Sequence, residues 1–121
     1  MATVVNIKKD RYNTDIMRGS RYGNPFPISR TCSRSRAIDS FEDFFVFNIR
    51  SGEVTFEELV KLNSAILGCC CKPQPCHGDV ISKYASYAAK GIEELTLHIN
   101  TYKYKVVNEE TLKSLPKMMR Y

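Results

Sequence analysis

Cys76, His77 and Asp79 stand within four residues of one another, and Cys69, Cys70 and Cys71 precede them, so four of the five cysteines share the stretch 67–81 with a histidine and a carboxylate. A thiol just outside a helix N-terminus is a candidate nucleophile, because the positive helix end favours the thiolate. An adjacent imidazole can move protons near neutral pH. Cys76, His77 and Asp79 are therefore the candidate catalytic set if the protein is a cysteine-dependent enzyme. The oxyanion grip that such a thiol needs is missing from the turn itself, since Val80-Ile81-Ser82 follows without an arginine. Arg18 and Arg21 are the available donors.

Two other chemistries compete for the same residues. Cys69, Cys71, Cys76 and His77 are zinc-competent, but their spacing differs from paired structural knuckles and no second cluster exists, so no metal or cofactor is assigned. The third chemistry is anion binding at the start of the helix after His77, where unpaired backbone N–H groups face outward. Asp79 also fits the N-cap of that helix, and Pro73 and Pro75 stiffen the loop before it. Cys69 and Cys70 read as small apolar residues of a buried strand, whereas Cys71 and Cys76 border the turn.

A second loop complements the first. Residues 18–31 hold two glycines, two prolines and three arginines, a composition that excludes a regular element. Arg18 and Arg21 offer bidentate forks for phosphate or carboxylate, and Tyr22 or Phe26 a flat surface for a ring. Arg30, Arg34 and Arg36 read as surface charge. Residues 1–36 carry eight Lys or Arg against two Asp, and residues 37–66 carry two against six acids. That asymmetry points to an anionic partner. Lys8, Lys9 and the C-terminal lysines read as a solvated face. Tyr102-Lys103-Tyr104-Lys105 interleaves rings and charge as single-strand nucleic-acid binders do, over only four residues.

The elements that must position these loops follow from periodicity. Thr3 to Ile7 is a β-branched first strand, and Asp15-Ile16-Met17 a short second one. Ala37, Ile38, Phe41, Phe44, Phe45 and Ile49 recur at helical spacing over 33–49, and Thr55-Phe56-Glu57-Glu58 is a capping box that opens a shorter helix. Residues 65–71 form an apolar strand, expected to be covered on both faces, with Leu67, Cys69 and Cys71 on one side and Ile66, Gly68 and Cys70 on the other. Val80, Ile81, Tyr84, Ala85 and Ala88 mark a third helix ended by Gly91. Leu95, Leu97 and Ile99 alternate with polar residues as a strand that Tyr102, Tyr104 and Val106 extend or pair with, and Asn108 caps a last helix. The reading is a small single-domain α/β sandwich with a partly parallel sheet flanked by helices. Residues 92–121 read as a strand and short helix packed on the same domain.

At 121 residues the chain suits one core. Its 43% hydrophobic and 26% charged residues are those of a soluble globular protein, with no run apolar enough for a membrane span. No secretory signal is read at the N-terminus, and the odd, crowded cysteines suit a reducing cytoplasm.

Arg18-Gly19-Ser20-Arg21-Tyr22-Gly23-Asn24-Pro25-Phe26 and the later Gly68-Cys69-Cys70-Cys71-Lys72-Pro73-Gln74-Pro75-Cys76-His77-Gly78-Asp79 together resemble two long motifs of the bacterial and phage family called domain of unknown function 4326. The likeness runs from about Val4 to Ala89, which implies a family-like α/β core over residues 1–91 and makes residues 92–121 a C-terminal extension. Cys70 and Tyr22 stand where that family tends to have tryptophan. The resemblance implies a small α/β fold in which Arg18, Asn24, Cys71, Cys76, His77 and Asp79 converge on one pocket, and it brings no reaction. It also makes a phage origin and a host bacterial cytoplasm the expectation. The functional expectation is a domain whose pocket, with Arg18, Gly19, Ser20, Arg21, Tyr22 and Asn24 on one wall and Cys71, Cys76, His77 and Asp79 on the other, takes a nucleotide or other phosphorylated metabolite. Sequestering a host immune signal is one use of such a pocket. The alternatives are a cysteine-dependent enzyme acting on a nucleoside derivative, and a nucleic-acid or protein-interaction module.

Overall fold

The computed structural model describes residues 2–116 and 118. The elements run β1 (Thr3–Asn6), β2 (Thr14–Asp15), α1 (Arg34–Arg50), α2 (Phe56–Leu62), β3 (Ile66–Cys69), α3 (Gly78–Ala89), α4 (Ile92–Thr101) and α5 (Glu109–Ser114). The three strands form one sheet in the order β1-β3-β2, and β3 is parallel to both neighbours. Val4 and Thr14 lie in register with Leu67, and Asn6 with Cys69.

Register fixes which residues share a face. Val4, Leu67 and Cys69 belong to the face that receives the helices, and α3 begins directly on it. A Cβ added at Gly78 would lie 2.7 Å from Ile16 Cδ1 and 2.9 Å from Val4 Cγ1, so only glycine lets the helix start this close to the sheet. Ser82 then ties α3 to the chain start by donating to the Ala2 carbonyl at 2.8 Å. The opposite face is not covered as the apolar run of β3 suggested. Thr3, Ile66 and Cys70 are exposed there, and the Tyr12 ring from the β1–β2 loop lies over Gly68. Cys70 is thus a surface residue and not core filler, because the face it belongs to carries no helix.

α1 fills the core with Phe41, Phe44 and Phe45, and its N-cap Ser33 accepts from the Arg36 N–H, as the periodicity required. α2 begins at its Thr55 cap, whose hydroxyl accepts from the Glu58 N–H. The segment read as a strand around Leu95 is instead helix α4. Leu95 and Ile99, four residues apart, are buried on one face, while Leu97 points to solvent at 57% exposure. Three alternating apolar residues fit a strand, but the acidic first turn at Glu93 and Glu94 favours a helix start. The stretch after α4, expected to extend a strand, is irregular until Asn108 caps α5 by accepting from the Thr111 N–H.

That irregular stretch is bound from below. Fully buried Asp43 on α1 accepts backbone N–H bonds from Lys105, Val106 and Val107 at 2.8 Å each, and the Tyr102 hydroxyl at 2.6 Å. Glu42 beside it accepts from Lys105 Nζ and from the Tyr84 hydroxyl, both at 2.7 Å. Tyr102 and Lys105, which looked like half of a nucleic-acid stripe, are therefore engaged within the fold, and Arg50 lies over the Tyr104 ring. Lys117 and Arg120, part of the basic tail, lie outside the described residues.

Candidate functional site

The chain leaves β2 at Asp15 and β3 at Cys69, adjacent parallel strands, and the loops that follow both exits line one cleft of about 560 Å³. Met17, Arg18, Asn24, Phe26, Pro27 and Ile28 come from the arginine loop; Cys69, Cys70, Cys71 and His77 come from the cysteine turn. A crevice outside the carboxyl ends of parallel strands is where open α/β sheets usually hold ligands.

His77 joins the two loops. Its Nε2 lies 2.8 Å from the Ile16 carbonyl oxygen and 3.0 Å from that of Tyr22. Both partners are acceptors, so Nε2 carries the hydrogen and donates to the backbone on either side of the arginines. The ring is 8% exposed and meets Phe41 edge-on at 4.8 Å between centroids. Burial pushes its pKa below the usual 6.5, against the upward pull of the two carbonyls, and keeps it neutral near pH 7.

The turn between β3 and α3 is closed by its own side chains. The helix starts at Gly78 with His77 at the N-cap position, two residues earlier than Asp79 as N-cap would set it. Asp79 sits in the first turn, and its carboxylate accepts from the Cys76 N–H at 3.2 Å and from Lys72 Nζ at 2.7 Å. It does not line the cleft. The expected anion site at the helix start is therefore taken by the protein's own carboxylate. Asn6 donates to the Lys72 carbonyl at 2.8 Å, Arg34 to that of Pro75 at 3.2 Å, and the Lys72–Pro73 peptide is cis.

Cys76 is 2% exposed, with its sulfur 3.4 Å from that of Cys69. Burial, reinforced by the hydrogen bond with Cys69, pushes its thiol up to about 12. A thiol so placed stays protonated at neutral pH and lacks access for a substrate, which removes the basis for treating it as a nucleophile. Cys71 is half-buried and Cys70 exposed, both on the cleft wall. Among the described residues no three His, Cys, Asp or Glu side chains gather as a metal set.

The two arginines separate. Arg21 was expected in the pocket, but its Nε and Nη2 donate to the two carboxylate oxygens of Glu58 at 2.7 and 2.9 Å, and Nη2 also reaches the Glu53 carbonyl at 2.7 Å. Tyr22, also expected as a ligand surface, is buried and donates its hydroxyl to Glu58. Burial raises the Glu58 pKa, and the Arg21 and Tyr22 hydrogen bonds outweigh it, so the carboxyl titrates below its usual 4.5. Arg21 and Tyr22 thus fasten the loop to α2. Glu58 was legible only as half of a capping box, and nothing in that motif points to Arg21 or Tyr22.

Arg18 is exposed on the cleft and has no hydrogen-bond or ion-pair partner among the described residues. Asn24 shapes the loop: Oδ1 accepts from the Phe26 N–H at 2.9 Å, and Nδ2 donates to the Ala37 carbonyl at 3.2 Å. Gly19 and Ser20 line a smaller neighbouring hollow of about 170 Å³ with Arg18 and Asn24, and the Ser20 hydroxyl is spent on the Met17 carbonyl at 2.6 Å. Of the expected ligand-binding residues, the cleft brings together Arg18, Asn24, Cys71 and His77, along with Phe26, which was read as a surface for a ring, and it adds Met17, Pro27, Ile28, Cys69 and Cys70. Met17, Pro27 and Ile28 belong to no chemical motif, so nothing in their types or spacing marked them as cleft residues.

Among the described residues no helix is long and apolar enough to cross a membrane. The sequence model of the family described as Domain of unknown function (DUF4326) matches residues 4–87, a span that includes both loops of the cleft. The "Uncharacterized 12.4 kDa protein in nrdA-td intergenic region" of Enterobacteria phage T4 is 42% identical over 82 residues, covering 68% of this chain and 75% of that protein. No solved structure matches. With the family pattern spanning more than half of its length and both site loops, the chain belongs to the DUF4326 family.

Proposed function

We propose that the protein is a small-molecule binding domain whose cleft takes a ring-bearing ligand with an anionic group, a nucleotide or a nucleotide-derived metabolite. The observation that carries this reading is the composition of the cleft: an unpartnered guanidinium at Arg18 stands on a wall that, apart from Asn24, is built from Met17, Phe26, Pro27 and Ile28. A planar fork suits a phosphate, and the Phe26 ring suits a stacked base. The position at the carboxyl ends of β2 and β3 supports the same reading. Cys76, buried and protonated, gives a covalent mechanism no support. The phage T4 relative fits a role in an infected bacterial cytoplasm.

The test is thermal unfolding and calorimetric titration with a panel of nucleoside mono-, di- and triphosphates. Binding by at least one of them, raising the melting temperature by several degrees at ligand well above Kd, is the expected outcome. Arg18→Ala should keep the unliganded melting temperature, because the side chain is exposed and unpartnered, and weaken binding about tenfold or more. No response to any member of the panel at millimolar concentration would overturn the reading.

A further inference from the structure

His77 has two ring nitrogens and a fixed use for only one of them. Nε2 is committed as a donor to the Ile16 and Tyr22 carbonyls, so in the neutral ring Nδ1 is a bare acceptor. Nδ1 has no partner among the described residues. Fully buried polar side-chain atoms without a partner reduce, among those residues, to Asn63 Oδ1, so Nδ1 of His77 stays within reach of solvent although the residue is 8% exposed. The opening that His77 lines is the cleft.

The rest of the wall sharpens what such an acceptor meets. Both ends of the Asn24 amide are used within the loop, the Tyr22 hydroxyl and Arg21 turn away to Glu58, and Asp79 lies outside the cleft. Among the described residues His77 Nδ1 is left as an uncommitted side-chain acceptor on the cysteine side, and Arg18 as the cation on the opposite loop. Resting on the binding reading above, we infer that the cleft selects a nucleobase bearing an N–H donor, received by His77 Nδ1, on a nucleoside carrying a single phosphate that Arg18 holds at the mouth. One exposed guanidinium matches one phosphate, and among the described residues Arg18 is the cation that lines the cleft. Burial keeps the imidazole unprotonated near pH 7, which preserves its acceptor. An analogue without the donor covers the Nδ1 lone pair and leaves it unmatched, the circumstance in which hydrogen-bonding sites discriminate most.

Calorimetric titration of the wild-type protein with AMP, CMP, GMP and UMP, and with purine riboside 5′-monophosphate, tests this directly. Each of the first four carries an exocyclic amine or a ring N–H on its base, whereas purine riboside has neither and keeps the same sugar and phosphate. At least one donor-bearing monophosphate should bind about tenfold or more tightly than the purine riboside compound, and no more weakly than its own triphosphate. His77→Gln retains an amide N–H for the two backbone carbonyls and exchanges Nδ1 for a carbonyl oxygen at a different position; it should reduce the preference while still binding purine riboside monophosphate. The wild-type comparison stands even if that variant does not fold. Equal binding of all five monophosphates, or tighter binding of triphosphates, would overturn the inference and leave the binding reading in place. Failure of every nucleotide to bind would overturn both.

Discussion

Burial at His77 ties the stability of the protein to pH through one ring. Its folded pKa lies below 6.5, so between that value and 6.5 the unfolded chain holds more protons than the folded one. Stability is then full above about pH 6.5 and declines as the pH falls toward the folded pKa. Melting temperatures measured from pH 7.5 to 5 should fall with acidification, and His77→Gln should flatten that part of the profile. Parallel profiles for the two proteins would mean that the histidine is not held neutral. The residue types at this site were readable, but their division of labour was not. Arg18 and Arg21 have the same side chain three positions apart, and only the placement of Glu58 on α2 decides that one is a fastener and the other is open. Cys70 and Cys76 reversed their expected settings for a comparable reason. Coverage of the sheet by helices on one face exposes the first and buries the second.

α4 is the element whose identity is most easily checked. In a strand Leu95, Leu97 and Ile99 would share one face; in the helix Leu95 and Ile99 face the core and Leu97 does not. Leu95→Ala should cost about 2–4 kcal/mol in denaturant unfolding, and Leu97→Ala less than about 0.5 kcal/mol. Similar large losses at both positions would favour the strand. The helices α1, α2 and α5 and the strands β1 and β3 were legible because their patterns are unambiguous over several residues, with Ser33, Thr55 and Asn108 marking helix starts. Around Leu95 five residues satisfied two periods at once. What decided for a helix is packing against α3, visible in the Tyr87 and His98 rings stacked 3.6 Å apart, a contact that a local pattern does not contain.

At the scale of the whole molecule, the segment after α4 is held by an acid that lies in the matched family region. Asp43→Ala would leave three backbone N–H groups and the Tyr102 hydroxyl without their acceptor. The expected loss is about 3 kcal/mol or more in unfolding free energy, with residues 102–107 becoming an early site of proteolytic cleavage. A loss below about 1 kcal/mol, or cleavage unchanged, would mean that the segment is held by other contacts. The division into a core and an appended tail was drawn from where the family likeness stops, and the buried carboxylate crosses that line. The strand order has a consequence for how the molecule comes into being. In the sheet β1 and β2 pair only with β3, which begins at Ile66, so until that strand has been synthesised the two have nothing to pair to. The central strand has to close a connection of some sixty residues onto β1, an entropic cost that grows slowly with length but slows folding. The same event brings the cysteine turn against the arginine loop, so on the ribosome the sheet and the cleft are completed together.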